Sequence, residues 1–386
     1  DRLTPSLVVE AAIHGHDLPH EFPQAVLDEA AAVPLVVEPE TIGGRVDLRD
    51  MPLVTIDGED AKDFDDAVWC EPNRNGFRLV VAIADVSHYV TPGSALDEEA
   101  QRRATSVYFP GFVVPMLPET LSNGICSLNP DVDRFCFVCD MQVDHEGEVT
   151  RSRFYEAVMR SHARLTYTQV WKAVGEDDAE ARAQIGPLMP QVERLYQLYK
   201  VLARARQRRG AIEFESSEVR FIIGREGEVV QAGMLPRNDA HKLIEECMIA
   251  ANVEAARFLL RRRIPAPFRI HERPPEAKYA DLLEFLQEFG LRMPPWAKVE
   301  PRDFARLLLD RVGQLLDEAR IVADQCSIQA YARLVAHARL IIGPVVFDQH
   351  QALAGAGVRR GSLGELLGGA VLAGFGQFDQ RRESGR

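Results

Sequence analysis

Six carboxylates fall within ten residues of the chain, against a single lysine: Asp57, Glu59, Asp60, Asp63, Asp65 and Asp66. Negative charges this close repel one another, and burying them without a counter-charge is costly, so a bound cation is the natural partner. Oxygen ligands without histidine or thiolate select magnesium, manganese or calcium rather than zinc. A divalent metal held here could bind a phosphate group and activate a water molecule for hydrolysis.

The acidic stretch has two simpler interpretations. Acidic runs are most often solvated surface, but the apolar residues directly before and after this one favour a loop set in the core. A calcium loop of the EF-hand type needs glycine at its sixth position, and counting from Asp57 that position holds Lys62. The remaining interpretation is a site in which one or two magnesium ions bind a phosphate.

The elements around the acidic stretch must bring its side chains together. Asp63 and Asp65 would share one face of an extended segment while Asp66 points the other way, so we expect the segment to bend around the ion, with Asp57-Gly58 as a permissive turn. A continuous apolar run, Leu79 to Ala84, predicts a buried strand beside it.

Antiparallel strands and long helices are predicted for the rest of the chain. Residues 135–143 and 149–158 flank a turn typical of a β-hairpin, and residues 219–223 and 229–234 repeat that arrangement. Apolar residues at three- and four-residue steps predict one helix from Ile185 to Leu202, stopped by Gly210, and another with Asp239 as N-cap. We therefore predict an α+β fold.

Composition limits the kind of protein. The chain has 386 residues, 46% of them hydrophobic, and no apolar run long enough to span a bilayer, so we expect no membrane association. Its six cysteines are scattered, which fits a reduced, cytoplasmic setting.

The net charge of −13 argues against nonspecific nucleic-acid binding by the whole surface. Arg102-Arg103, residues 204–209 and residues 261–263 are local basic clusters that would serve equally as helix ends or phosphate contacts.

Several ordered motifs resemble the RNB-domain exoribonucleases, ribonuclease R type, of the ribonuclease II superfamily. They occupy residues 54–68, 81–90, 108–111, 115–119, 121–128 and 240–246. Ordered motifs of this length are far more specific than one short pattern. The resemblance covers about residues 1–310 and implies an inter-domain connector over 1–47 and an RNB catalytic domain over 48–342, with a mixed, largely antiparallel sheet surrounded by helices. Residues 343–386 match nothing in the family, and we expect a partly disordered tail.

The resemblance also implies an activity: processive 3′-to-5′ hydrolysis of single-stranded RNA, dependent on Mg²⁺ or Mn²⁺, by a monomer that binds the RNA 3′ end and releases nucleoside 5′-monophosphates. Four aspartates match the catalytic, metal-binding positions: Asp57, Asp63, Asp65 and Asp66. We expect Asp65 to tolerate loss least.

Four further residues match RNA-binding positions of the family. Aromatic residues that stack on or brace the last nucleotides match Tyr108, Tyr167 and Phe214, and a carboxylate that could read ribose 2′-hydroxyls matches Glu246. Each has a structural alternative: an aromatic residue in an apolar context is more often core, and an acidic residue early in a helix suits the helix dipole.

The end of the chain departs from the family. A Ser-Pro-Ile-Arg-Arg-Tyr-type motif, whose arginine holds the phosphate beside the metal, is expected after Arg311, and Cys326 to Tyr331 follows its outline without any arginine. A truncated chain, or one whose reading frame changed near residue 312, would look like this. The alternative is therefore an incomplete, catalytically impaired RNB fragment that retains metal or RNA binding. A magnesium phosphohydrolase acting on small phosphate esters is a third, weaker interpretation.

Overall fold

The computed structural model of the chain describes residues 5–109, 111–211, 218–224, 229–235, 237–270, 273–288 and 290–307. Phe214 lies outside these ranges, as does all of the sequence after residue 307, including the segment in which the arginine motif is expected. Within the described ranges, no helix is long and apolar enough to cross a membrane.

A mixed β-sheet forms the centre of the fold. In chain order the described strands are β1 (Val46–Leu48), β2 (Val54–Asp57), β3 (Asp66–Asn73), β4 (Gly76–Ala84), β5 (Val107–Phe109), β6 (Phe112–Val114), β7 (Asp133–Asp144), β8 (Val149–Arg160), β9 (Ala163–Thr166), β10 (Glu218–Ile223) and β11 (Val229–Leu235). Seven of them make one sheet in the order β1-β8-β7-β4-β3-β2-β9, while β5–β6 and β10–β11 are two-stranded ribbons. β1 is parallel to β8 and β2 to β9, and the other neighbours are antiparallel. The predicted mixed, largely antiparallel sheet is confirmed.

Helices complete the α+β fold. In chain order the described α-helices are α1 (Pro5–Gly15), α2 (Gln24–Ala32), α3 (Ala95–Arg103), α4 (Tyr167–Val174), α5 (Ala179–Ile185), α6 (Met189–Arg208), α7 (Asp239–Arg262), α8 (Glu276–Glu288) and α9 (Pro301–Leu307). Helices α4 to α7 share the larger core with one face of the sheet. The first two helices, α1 and α2, lie within residues 1–47.

Strand β4 is buried on both of its faces. Leu79 and Val81 enter the core shared with the helices, whereas Val80 and Ala82 enter a second core on the opposite face. A strand covered on both sides needs apolar side chains at every position rather than at alternate ones. This is why the sequence shows a continuous apolar run, and the predicted buried strand is confirmed.

A long hairpin, β7–β8, joins the sheet to the helices. Its turn contains Gly147 at a φ of 82°, and a Cβ there would lie 2.7 Å from the Cβ of Ala205 and 2.9 Å from the carbonyl oxygen of Val201, both on α6. Only glycine allows this close approach without displacing the helix. Both predicted hairpins, β7–β8 and β10–β11, are confirmed.

Two helix boundaries differ from the sequence-based expectation. The helix predicted from Ile185 to Leu202 is two helices, because Gly186 at a φ of 58° follows the end of α5 and a short 3₁₀ turn precedes α6. The N-cap of α7 is Asn238 rather than Asp239: its side chain accepts a hydrogen bond from the Ala240 N–H at 3.0 Å. Asn and Asp are similarly good N-caps, so composition could not separate the adjacent candidates.

The carboxylate of Asp140 is buried on β7 between two arginines. It accepts hydrogen bonds from Arg78 at 2.7 Å and from Arg153 at 2.6 Å. Burial alone would raise the pKa of Asp140, but the hydrogen bonds from Arg78 and Arg153 outweigh burial and lower it. Because the lowered pKa belongs to the folded state, the stabilisation is present above the unfolded-state pKa, about 3.9, and is lost as pH falls through the folded-state value.

We therefore expect Asp140→Asn to lower the free energy of unfolding at pH 7 by about 1 kcal/mol, a modest value because Arg153 is largely exposed to solvent. The difference from the unchanged chain should shrink as the pH falls below about 4. Urea unfolding of both proteins over this pH range tests the prediction. A difference that stays constant down to the lowest pH would contradict it.

Candidate functional site

The acidic stretch lies at one end of the sheet, between β2 and β3. Asp57 is the last residue of β2 and Asp66 is the first residue of β3, with Asp63 and Asp65 in the loop between them. On the other side of β2, the parallel strand β9 places Thr166 opposite Asp57. Helix α4 begins directly after Thr166, and this brings the N-terminal end of a helix to the acidic loop.

Phe64 fixes the direction of its two acidic neighbours. Its side chain is 5% exposed in the second core, its N–H donates to the Ser127 hydroxyl at 2.9 Å, and its carbonyl accepts from the Leu128 N–H at 2.8 Å. Because consecutive side chains of an extended segment project to opposite sides, a buried Phe64 directs Asp63 and Asp65 together away from that core. The predicted shared face of these two aspartates agrees with this arrangement.

The chain changes direction between Phe64 and Asp66. Val68 and Cys70, which alternate with Asp66 along β3, enter the core on the helix-covered face, so Asp66 faces that side too. Phe64 enters the opposite core, although strict alternation would give it the same side as Asp66. The bend predicted from the sequence is therefore present, and it turns Asp66 toward the side that Asp63 and Asp65 face.

Burial and mutual repulsion both raise the pKa values of aspartates in the acidic stretch. Burial, followed by the charges of Asp63 and Asp57, raises the pKa of Asp65 to about 7. Burial and the charges of Asp57 and Asp65 raise the pKa of Asp66 to about 7. The pKa of Asp57 is raised by burial and by Asp63, against the Gly58 N–H that donates to its carboxylate at 2.6 Å. Burial is the largest cause of each shift, and the charges of neighbouring aspartates add to it, so these carboxylates lie near enough to repel one another.

One carboxylate oxygen in this group lacks a protein partner. Asp66 is partly buried as a residue, but its Oδ2 is inaccessible to solvent and has no hydrogen-bond partner among the described residues. A buried acceptor left unpaired costs free energy, so it marks a position for a cation or a protonated partner.

Tyr108 reaches the acidic loop from the β5–β6 ribbon. Its hydroxyl donates to Asp63 Oδ2 at 3.3 Å, and the residue is 53% exposed. Partial burial and the charge of Asp63 raise the pKa of Tyr108 to about 12, so the hydroxyl keeps its proton at neutral pH. The structure thus places an exposed aromatic face next to a metal-binding candidate, where a base could stack on it.

Tyr167 contacts the site through its hydroxyl rather than an open ring face. It is the first residue of α4, and its hydroxyl hydrogen-bonds to Asp57. Burial and the charge of Asp57 raise the pKa of Tyr167. One face of the ring stacks on His241 of α7, with ring centroids 4.0 Å apart and planes 21° from parallel. Tyr167 therefore braces Asp57.

His241, the stacking partner of Tyr167, is not among the site residues predicted from the sequence, although it lies in the motif at residues 240–246 that resembles the family.

Glu246 is buried and paired. It is 4% exposed and accepts a hydrogen bond from Arg206 Nη1 at 2.7 Å, and the same atom donates to Glu245 at 3.1 Å. Burial raises the pKa of Glu246, against the opposing effect of Arg206. In this structure the carboxylate is therefore occupied in joining α6 to α7. The pKa of the next residue, Cys247, is raised mainly by burial and in part by the charge of Asp66, so this turn of α7 lies near the acidic loop.

The basic cluster at the end of α3 has a structural role. Arg103, whose side chain is 1% exposed, bonds to Glu99 at 2.7 Å and covers the Phe22 ring with its guanidinium 3.7 Å from the centroid. Arg102 bonds to the same carboxylate at 2.8 Å. Of the two interpretations left open for this cluster, the helix-end role is the one that these contacts support.

The donor set suits Mg²⁺ rather than a metal that needs a complete protein cage. Among the described residues, no three His, Cys, Asp or Glu side chains form a ready-made metal-binding group. Mg²⁺ typically binds one or two carboxylates and keeps water and substrate phosphate oxygens as its other ligands. The unpaired Oδ2 of Asp66 and the neighbouring aspartates meet that requirement, so the residues present fit a magnesium ion.

The sequence matches the RNB domain family over residues 45–335, about three quarters of the chain. The chain therefore belongs to the RNB domain family. It is 54% identical over 309 residues to ribonuclease R of Escherichia coli, which covers 80% of this chain and 38% of that protein. The chain thus spans well under half of the length of this curated relative.

Comparison with solved structures leads to the same family. The fold resembles apo RNase R of Mycoplasma genitalium with a TM-score of 0.73 and 30% identity, covering 80% of this chain and 48% of that one. The same protein in complex with ribose-methylated single-stranded RNA matches equally well. Yeast Ssd1, described as a pseudonuclease, shares the fold alone, with 17% identity and a TM-score of 0.50.

Proposed function

We propose that this chain is the catalytic part of a Mg²⁺-dependent exoribonuclease that shortens single-stranded RNA processively from its 3′ end and releases nucleoside 5′-monophosphates. One observation carries the proposal: the Tyr108 hydroxyl bonds to Asp63 within a group of mutually repelling aspartates. A stacking surface for a base therefore adjoins a cation site, which is the juxtaposition that a nuclease acting on a chain end requires.

The roles of the residues follow from their surroundings. When bound, Mg²⁺ would polarise the scissile phosphate and lower the pKa of a water molecule. Asp57, Asp63, Asp65 and Asp66 would hold the ion, with Mn²⁺ able to replace it. Tyr108 would stack on a terminal base, and Tyr167 keeps the Asp57 carboxylate in place through its hydroxyl.

The choice of RNA as substrate rests on relatives. The curated relatives are named ribonuclease R, and the M. genitalium relative is described in complex with single-stranded RNA. Arg206 bonds to one carboxylate oxygen of Glu246, and the role of Glu246 as a reader of the ribose 2′-hydroxyl remains a proposal. The described cysteines are all free and buried, in keeping with the proposed cytoplasmic setting. We also propose that the chain acts as a monomer.

The second candidate is an impaired RNB fragment that binds metal or RNA without turnover. The missing arginine motif favours it, because one lost electrostatic contact to the transition state costs about 10²–10³ in rate. The likeness to Ssd1 shows that the fold does not by itself establish nuclease activity.

Incubation of the chain with 5′-labelled poly(A) separates the two candidates. Processive hydrolysis from the 3′ end converts full-length RNA into a short labelled end product with few intermediates, in a reaction that depends on Mg²⁺ and is abolished by EDTA. Circular poly(A) of equal length is the control and should remain intact, because an exonuclease needs an end. Immediate release of labelled mononucleotide would contradict the direction, and unchanged RNA with retained binding would support the impaired fragment.

Removal of the Tyr108 ring is expected to weaken RNA binding about tenfold, since stacking on an aromatic residue contributes roughly 1–3 kcal/mol per base. Tyr108→Ala should show this loss and Tyr108→Phe should not, although both lose the bond to Asp63. Fluorescence anisotropy with labelled oligo(A), in an Asp65→Asn background that leaves the RNA intact, measures the effect. Equal losses in the two variants would assign the effect to the hydroxyl instead of the ring.

A further inference from the structure

We propose that Arg164 is a positioning residue that holds the acidic loop in its metal-binding shape from the edge of the sheet. The proposal rests on the magnesium site proposed above and deepens it. Arg164 lies on β9, opposite Thr55 of β2, so its backbone position is fixed two residues before Asp57. The side chain extends from that strand over the loop that carries Asp63 and Asp65.

The contacts of the guanidinium are with the backbone of the loop. Its Nη2 donates to the carbonyl of Glu59 at 2.7 Å and to the carbonyl of Ala61 at 3.2 Å. Its Cζ lies 5.0 Å from the centroid of the Phe64 ring. One side chain thus spans the loop from residue 59 to residue 64, through two backbone carbonyls and the Phe64 ring.

Ser127 holds the same loop from another element. Its hydroxyl accepts from the Phe64 N–H at 2.9 Å and donates to the Lys62 carbonyl at 3.3 Å. Ser127 is fully buried, whereas Arg164 is exposed. Ser127 therefore fixes the base of the loop inside the fold, and Arg164 fixes the part of the loop that faces solvent.

The guanidinium also places a positive charge against the backbone of the acidic loop. A planar guanidinium can bond two carbonyls and lie over an aromatic ring at once, which the compact ammonium of lysine cannot reproduce. Shape and charge can therefore be separated by comparing Arg164→Met with Arg164→Lys.

The first measurement is metal binding without RNA. Isothermal titration of the full chain with Mn²⁺, and with Mg²⁺ in competition, should show an apparent Kd about tenfold higher in Arg164→Met, the scale typical when a group that orients a metal ligand is lost. Arg164→Lys should recover part of the loss. Arg153→Met is the matched control: it removes an exposed arginine that bonds to Asp140, on another strand of the same sheet, and metal affinity should stay unchanged.

The second measurement is amide hydrogen exchange of the metal-free chain. Exchange at residues 58–65 should accelerate in Arg164→Met, while exchange in β7 and β8 stays as in the unchanged chain, which also shows that the variant is folded. In RNA turnover, kcat at limiting Mg²⁺ should fall about tenfold and recover at excess Mg²⁺, with KM for RNA within about twofold.

The possible results separate the two proposals. A chain that binds no divalent metal overturns the magnesium site and this inference together. If the unchanged chain binds metal and Arg164→Met binds it equally well, the positioning role alone is overturned. A rise in KM for RNA with unchanged metal affinity would also overturn it, because Arg164 would then contact the substrate instead of shaping the loop.

Discussion

Asp65→Asn is expected to slow the shortening of RNA by about 10³-fold while RNA affinity stays within about twofold. Asp65 follows the anchored Phe64, and its own carbonyl accepts from the Ala84 N–H at 2.9 Å, so the backbone holds its position whatever its side chain is. Asparagine keeps the shape of the side chain and removes the charge. The substitution therefore tests the contribution of the carboxylate to metal binding and catalysis, with the loop conformation preserved.

The measurement is single-turnover degradation of 5′-labelled poly(A) at saturating protein, with affinity measured separately by anisotropy. Asp60→Asn makes the same chemical change in the same loop at an exposed position, and its rate should stay within about threefold of the unchanged chain. Comparable rates for Asp65→Asn and Asp60→Asn would contradict the assignment of Asp65 to the metal site.

The second large effect that we expect is on the stability of the metal-free chain when Asp66 is replaced. Asp66→Asn is expected to raise the free energy of unfolding of the metal-free chain by roughly 2–3 kcal/mol, because a buried charge without a partner costs several kcal/mol. The Oδ2 of Asp66 has no partner in the described part of the chain, and the charges of Asp57 and Asp65 add repulsion. Mg²⁺ should stabilise the unchanged chain and stabilise the variant less.

Thermal unfolding in EDTA and in Mg²⁺ tests this expectation. Asp140→Asn is an informative contrast, because the same substitution removes a carboxylate that Arg78 and Arg153 already neutralise. We expect opposite signs: a higher Tm in EDTA for Asp66→Asn and a lower one for Asp140→Asn. A lower Tm for both would mean that Asp66 is already paired in the metal-free protein.

Features with a local pattern were predictable from the sequence. The apolar run of β4 and the turn residues of the two hairpins each fit one kind of element, and the structure has those elements. The shared face of Asp63 and Asp65 followed from the two-residue period of an extended chain. The bend before Asp66 followed from the need to gather charges of one sign around an ion.

Pairings between distant elements were not predictable. The stacking of Tyr167 on His241 and the bond between Arg206 and Glu246 join residues of different helices, and single-residue patterns carry no signal for such partners. For the same reason, no sequence pattern indicates that the hydroxyl of Tyr167 and one face of its ring have partners inside the fold. Its role in stacking on or bracing the last nucleotides stays a prediction. The break at Gly186 was hidden because apolar residues continue at helical spacing across it.

The buried side chain of Phe64 anchors the acidic loop. Because its ring is seated in the core and its two peptide groups are bonded to Ser127 and Leu128, the orientation of both flanking carboxylates depends on an apolar side chain that binds no ligand itself. Among inactive variants found by random mutagenesis, substitutions of Phe64 by smaller residues should therefore be as frequent as substitutions of the aspartates. Such variants would keep every acidic group and lose only their alignment.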